Sequence, residues 1–368
     1  MFSRLLLYLK NFDWVLFASV FLLACFGLAE IYSVSLGKGG ADLLNFKKQI
    51  FFIILGVFLL FLFAFLDYHS LRNYSPYLYI LGAGLLILVL IFGRTIRGTR
   101  GWFYFGNFSF QPVEFVKIVL LLFLARFFSN MSRQIRPLKH LILSGLGVLF
   151  FIILVLAQPD FGSALILLAL WLIFLLIAGF NKKYFLIIGL ILAISLSSLW
   201  IFSFQDYQKQ RIITFLNPAF NPLDQGYNVS QAIIAVGAGR LTGRGIGFGS
   251  QSQLKFLPEA QNDFIFAVVA EELGFLGISL IILFFAVLFS RCLLNLKKIN
   301  NDFGVFFVLG VLGLLFIQMF INIGMNIGLL PVVGISLPFL SYGGSAIISS
   351  FILIGILESI IIRSKINY

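Results

Sequence analysis

What this 368-residue chain can fold into is limited first by the recurrence of long apolar runs. Ten of them lie near 14–35, 47–66, 74–93, 112–129, 140–157, 161–180, 183–204, 263–290, 303–326 and 340–362. Each is close to the ~20 residues that a helix needs to cross a bilayer core. Hydrocarbon offers no partner to an open backbone N–H or C=O, and no run alternates as a barrel strand would, so each is expected to be a helix. Hydrophobic residues make up 61% of the chain against ~45–50% in soluble domains. The expected class is therefore all-α and polytopic, a single integral membrane domain over 1–368, because no polar gap is large enough for a separate fold.

The net charge of +12 does not indicate nucleic acid, since the basic residues are scattered between the apolar runs and form no dense block. They report topology instead. With both termini in the cytoplasm, fourteen Lys and Arg fall on inner segments and six on the short outer ones, the bias that the positive-inside rule demands. Two polar segments, about 94–111 and the long loop at about 205–262 between spans 7 and 8, then face outward. The first run lacks a small-residue cleavage site and reads as a retained span. Cys25 and Cys292 both fall in or at the end of apolar runs and suggest no disulfide framework. His69 and His140 read as interfacial residues, without the neighbours that a metal site needs.

Several short stretches place chemistry at the outer side. In FQPVEFVK, Gln111 and Pro112 open the fourth span, and Glu114 and Lys117 fall three apart on one helix face, where each can neutralise the other. An ion pair at membrane depth is either structural or the wall of a pocket, and the two readings are compatible. In QPDFGSA, Asp160 is placed to cap the next helix, with a part in shaping the outer cavity as the alternative. The glycine-rich VGAGRLTGRGIGFGSQSQLK lacks a phosphate-loop ending. It reads as a tightly turned backbone that brings Arg240, Arg244 and Lys255 near an anionic group of the outer leaflet, such as a lipid pyrophosphate. FLPEAQNDFIFAVVAEELGFLG sets Asp263 where the loop becomes the eighth span, either as a helix cap or as a general base whose pKa partial burial would raise. Glu271 and Glu272 lie deeper and point in different directions, so at least one is expected to pair with a polar group of another helix or with Lys117. Pro331, Pro338 and a Gly pair mark 322–346 as broken helix that lines a cavity.

These blocks, with GTRGW, YQKQRIITFLNP and GYNVSQAIIAVGAGRLTGRG, follow one another in the order found in the SEDS family (shape, elongation, division, sporulation) of bacterial peptidoglycan polymerases, which the chain resembles over nearly its whole length. The resemblance implies ten spans in the bacterial cytoplasmic membrane and an inverting glycosyltransferase that joins lipid II units at its outer face. It also implies a class B penicillin-binding protein as partner. Residue by residue, Asp263 matches the family's essential acid, and Glu114 with Lys117 its buried fourth-span pair. Trp102, Gln111, Asp160, Arg211, Gln231 and Glu259 match further motif positions around the outer cavity. Gly101 stands where members often have Arg, which shifts that Arg to Arg100, while Val113 replaces a usual Ser and Asn262 a usual Thr. Chain length and GMNIGLLPVVGISLP resemble the RodA-like elongation polymerases more than the FtsW-like division polymerases.

The implied chemistry needs a base for the acceptor hydroxyl, which is Asp263, and positive charge for the leaving pyrophosphate. Candidates for that charge are Arg100, Arg211, Arg240, Arg244 and Lys255. There is room for a divalent cation, Mg or Mn, although the sequence shows no dedicated metal site. A lipid II flippase or secondary transporter also has many spans and broken helices, but needs polar groups that continue across the bilayer. A noncatalytic scaffold for wall enzymes is the third reading, in which Asp263 is dispensable.

Overall fold

The computed structural model describes residues 2–37, 43–96, 98–106, 108–131, 137–202, 209 and 225–366. A short helix α1 (Phe2–Asn11) precedes the first long one, α2 (Trp14–Leu36), and α3 (Leu44–Phe65) and α4 (Tyr68–Phe92) follow. Three strands come next, β1 (Arg94–Ile96), β2 (Thr99–Phe105) and β3 (Phe108–Phe110), and then α5 (Pro112–Ser129), α6 (Pro137–Leu156), α7 (Phe161–Ile177) and α8 (Lys182–Phe202). The remainder consists of α9 (Gln225–Ala238), α10 (Ser250–Gln253), α11 (Ile265–Leu296), α12 (Asp302–Asn326) and α13 (Gly344–Ile366). All ten expected runs are thus helical, and seven of these helices are long and apolar enough by themselves to cross a membrane. The protein is an all-α polytopic membrane protein. Large apolar side chains left open on its surface, such as Phe58 (61% exposed) and Ile194 (68%), suit contact with lipid.

Three features depart from the sequence reading. The 94–111 segment carries a small antiparallel sheet in the order β1-β2-β3, with Arg94 opposite Trp102 and Tyr104 opposite Ser109. Its run TRGWFYF is rich in residues that favour extended chain, and glycines 98 and 106, both at positive φ, permit the tight turns. The eighth span starts two residues later than expected and extends to Leu296, and the last one starts at Gly344. The segment expected as a long loop at about 205–262 contains helices α9 and α10 among its described residues.

Small residues set the closest helix packing. A Cβ added at Gly355 of α13 would lie 2.5 Å from the Leu60 carbonyl oxygen of α3, and one at Gly56 would lie 2.5 Å from the Phe351 ring. Backbones can approach this closely only where side chains are absent. Leu121, Leu167, Phe174 and Leu315, from α5, α7 and α12, are fully buried in the adjoining core.

One end of the bundle is tied by basic residues. Asp13 caps α2 through the Leu16 N–H at 3.1 Å, and accepts from Arg291 Nη2 at 2.8 Å and from Asn295 Nδ2. Arg363 donates to the Phe65 carbonyl at 2.9 Å, and Lys365 to that of Asn11 at 2.9 Å, covering oxygens that the helix ends leave open. Burial pushes the Asp13 carboxyl up, but the hydrogen bonds from Arg291, Asn295 and Leu16 outweigh it and hold the group below the usual carboxylate range.

Asp13→Asn is therefore expected to cost about 1–3 kcal/mol, read as a lower Tm in detergent. The carboxylate's contribution is in place above the ordinary pKa of about 4 and is lost as pH falls through the lowered folded value. Acidification should accordingly narrow the Tm gap between the two proteins, and a gap constant with pH would contradict this account.

Candidate active site

At the bundle end opposite Asp13, two stretches leave the helical path: 254–264, ahead of α11, and 327–343, between α12 and α13. They satisfy each other's backbone. The Tyr342 N–H donates to the Gln261 carbonyl at 2.8 Å. Ser341 Oγ donates to the Asn262 carbonyl at 2.7 Å and accepts from the Leu337 N–H at 2.8 Å. Irregular chain at this depth persists only with such internal partners.

Between these stretches, β2 and the first turns of α5 and α7 lies a cavity of ≈ 220 Å³. It brings together Trp102, Gln111, Glu114, Lys117, Asp160 and Asp263 from four separate sequence blocks. Lys117 is 3% exposed, and its Nζ donates to Glu114 Oε1 at 2.7 Å, so the expected pair forms on the cavity wall. Asp160 caps α7, accepting from the Ser163 N–H at 3.0 Å and Oγ at 2.7 Å, and its Oδ2 lies 3.4 Å from Gln111 Nε2. Asp160 is thus a helix cap that also lines the cavity. Asp263, half-buried just outside α11, faces Gly334, where an added Cβ would lie 3.8 Å from Asp263 Oδ2.

A second cavity of ≈ 450 Å³ adjoins the first, with Asn262 and Tyr342 lining both. It takes in Lys255 and Glu259 together with Asn45, Gln253 and Gln261. Lys255 and Glu259 both hold positive φ, 62° and 54°, and the Glu259 carboxylate accepts from Asn262 Nδ2 at 2.6 Å. Ser336, Tyr342, Gln318 and Ser345 also line the first cavity. Nothing singled these four out in the sequence beyond the Pro and Gly content around 331–344.

The other candidate residues lie elsewhere. Arg100 is exposed, and its guanidinium donates to the Ile91 and Gly93 carbonyls at 2.8 and 3.1 Å, closing the C-terminal end of α4 rather than facing the cavity. Arg240 and Arg244 are exposed on the turn after α9, where Arg244 Nη1 donates to Ser250 Oγ at 2.6 Å. Gln231 is on α9 and lines neither cavity. Arg211 lies outside the described residues.

Glu271 and Glu272 have a different task from Asp263. Helix α11 breaks at Gly274, whose φ of 65° and ψ of −159° are open only to glycine, and the 239–247 turn enters the gap. The freed Glu271 and Glu272 carbonyls accept from the Arg244 and Gly245 N–H groups at 2.9 Å each. The Phe275 and Leu276 N–H groups donate to the Arg240 and Leu241 carbonyls at 2.9 and 3.1 Å. The Glu271 carboxylate then accepts the Gln251 and Ser252 N–H groups of α10 at 2.8 and 3.1 Å. That of Glu272 accepts from Ser33 Oγ on α2, Ser252 Oγ at 3.0 Å and the Gly247 N–H at 3.0 Å. Glu272 thus pairs with another helix as expected, whereas Lys117 is engaged by Glu114.

Among the described residues no group of three or more His, Cys, Asp or Glu side chains gathers to hold a metal ion. Of the first cavity's carboxylates, Glu114 is engaged by Lys117 and Asp160 by the α7 N-terminus.

Fold and site define a multi-pass membrane protein with a carboxylate-bearing polar cavity at one end of its bundle. A family model described as "Cell cycle protein", FtsW/RodA/SpoVE, matches residues 13–366. The chain belongs to that family, the SEDS family that its motifs resemble. It is 36% identical over 357 residues to stage V sporulation protein E of Bacillus subtilis, covering 95% of this chain and 96% of that protein. It is 37% identical over 323 residues to peptidoglycan glycosyltransferase MrdB of Escherichia coli K12, covering 87% and 86%. Among solved structures, a chain of a peptidoglycan synthase complex matches with TM-score 0.81 and 29% identity over 96% of this chain and 98% of that one. The crystal structure of rod shape determining protein RodA from Thermus thermophilus matches with TM-score 0.72 and 28% identity over 97% and 98%.

Gly274→Ala would place a methyl group 2.3 Å from the Gly243 backbone nitrogen and should expel the 239–247 turn from the helix break. Amide hydrogen exchange across 240–253 is expected to quicken roughly tenfold or more. Unchanged protection there would show that the break does not depend on glycine.

Proposed function

We propose that this chain polymerises lipid II into glycan strands at the outer face of the bacterial cytoplasmic membrane, with both termini in the cytoplasm. The chain is a peptidoglycan glycosyltransferase. One observation carries the reading: a half-buried carboxylate, Asp263, lines a polar cavity that opens at one end of the bundle, while the neighbouring α5, α7 and α12 close into fully buried apolar side chains. A transporter needs polar groups along the whole path, whereas Leu121, Leu167, Phe174 and Leu315 of α5, α7 and α12 fill the adjoining core with apolar side chains.

In the reaction the acceptor 4-hydroxyl attacks the anomeric carbon of a sugar α-linked to pyrophosphate. The new C1–O4 bond forms as the C1–O bond to pyrophosphate breaks, and inversion gives the β-1,4 link. Asp263 takes the hydroxyl proton. Lys117, neutralised by Glu114, contributes polarity to the wall more than net charge. Lys255, exposed at the rim of the adjoining cavity, is the described cation best placed for the leaving pyrophosphate. A class B penicillin-binding protein as activating and crosslinking partner accords with the likeness to a chain of a peptidoglycan synthase complex. The GMNIGLLPVVGISLP segment supports a role in cell elongation. Relatives named for sporulation and division match at similar identity.

Purified protein with that partner and labelled lipid II is expected to yield glycan, and Asp263→Ala to lower the rate by roughly 10²–10⁴-fold. Undiminished polymerisation by Asp263→Ala would remove the base assignment. A parent protein that forms no glycan but moves lipid II between leaflets would establish the transporter instead.

A further inference from the structure

Asp263 stands outside the helix that follows it, so the hydrogen bonds of a regular helix do not set its backbone. In an α-helix the Asp263 carbonyl would accept from the N–H four residues on, that of Ala267. Here a buried side-chain amide of α12 stands between the two groups. Asn326 Nδ2 donates to the Asp263 carbonyl at 3.0 Å, and its Oδ1 accepts the Ala267 N–H at 3.1 Å. One turn earlier, Asn322 Nδ2 donates to the same Asp263 carbonyl at 3.0 Å and to the Ile335 carbonyl at 2.7 Å. Asn326 Nδ2 also donates to the Asn322 main-chain carbonyl at 2.8 Å and lies 3.4 Å from Asn322 Oδ1, so the two amides sit against each other. Both residues are completely buried, and neither lines the cavity.

This arrangement does more than satisfy polar groups. Asn322 joins the two irregular stretches that form the cavity, since one carbonyl belongs to Asp263 and the other to the residue after Gly334, against which the Asp263 carboxylate lies. The primary amide of Asn326 bridges the Asp263–Ala267 gap by donating at one atom and accepting at another in a single plane. A carboxylate of the same shape keeps the acceptor and turns the donor into an oxygen facing a carbonyl oxygen.

We propose that Asn322 and Asn326 are positioning residues for the glycosyl transfer, an amide clamp that holds Asp263 out of the α11 helix and fixes the reach of its carboxylate across the cavity. The inference rests on Asp263 being the base. A displacement of about 1 Å at a reacting group is enough for roughly 100-fold in rate.

The test uses Asn326→Asp, which retains the acceptor for the Ala267 N–H, and Asn322→Asp, each purified as the full chain with the partner transpeptidase and labelled lipid II. Both are expected to lower kcat by roughly 10- to 100-fold with KM within about twofold, and to move the acid limb of the kcat–pH profile. Glycan formation by the parent and its loss in Asp263→Ala are measured alongside, so that failure of the functional reading is seen separately. With those two results in hand, clamp variants that keep the parent kcat and pH profile overturn the proposal. A loss in kcat at an unshifted pH profile, or failure of both variants to fold by size exclusion and thermal melting, assigns the amides to stability alone and overturns it equally.

Discussion

Every N–H and C=O that leaves a helix at membrane depth must find its partner within the protein, and the working end of this molecule is arranged around that demand. The chain breaks helical order at Gly274, ahead of α11 and between α12 and α13. Each break is closed by main-chain or side-chain groups that the rest of the fold delivers. Glu271 receives the α10 N–H groups and Glu272 that of Gly247, Ser341 joins 262 to 337, and the α12 amides take the bonds that the start of α11 gives up. Polar side chains in apolar runs are therefore mostly there for the backbone. Asp263, like Glu114 and Lys117, faces the cavity.

The same demand explains what could be read from the sequence. The ten runs were legible because spanning helices must be long and apolar, whatever their neighbours. Asp160 as a cap and Glu114 with Lys117 as a pair were legible because their partners are three residues away. The partners of Glu271 and Glu272 were not, because Ser33 is more than two hundred residues distant and the turn that fills the Gly274 gap is seen only when folded. The cationic residues show the limit most clearly. Arg100, Arg240 and Arg244 are in segments that motif spacing places near the site, yet Arg100 and Arg244 turn to a helix end and to a serine. Spacing brings a segment to a site but does not choose the direction of a long side chain.

Charge within the first cavity is arranged so that its groups differ in what they can do. Lys117 and Glu114 neutralise each other on the wall, and Asp160 is committed to a helix N-terminus. Asp263 has its main-chain carbonyl held from behind, while its side chain lies against a glycine that offers no bulk.

The break at Gly274 also has a mechanical side. An unbroken α11 would act as a lever, and any tilt at its far end, where Arg291 grips Asp13, would be carried up to the cavity. With a joint at residue 274, bonded to an inserted turn rather than to the helix itself, the lower length can lean with its lipid surroundings while the upper stub stays seated on α12.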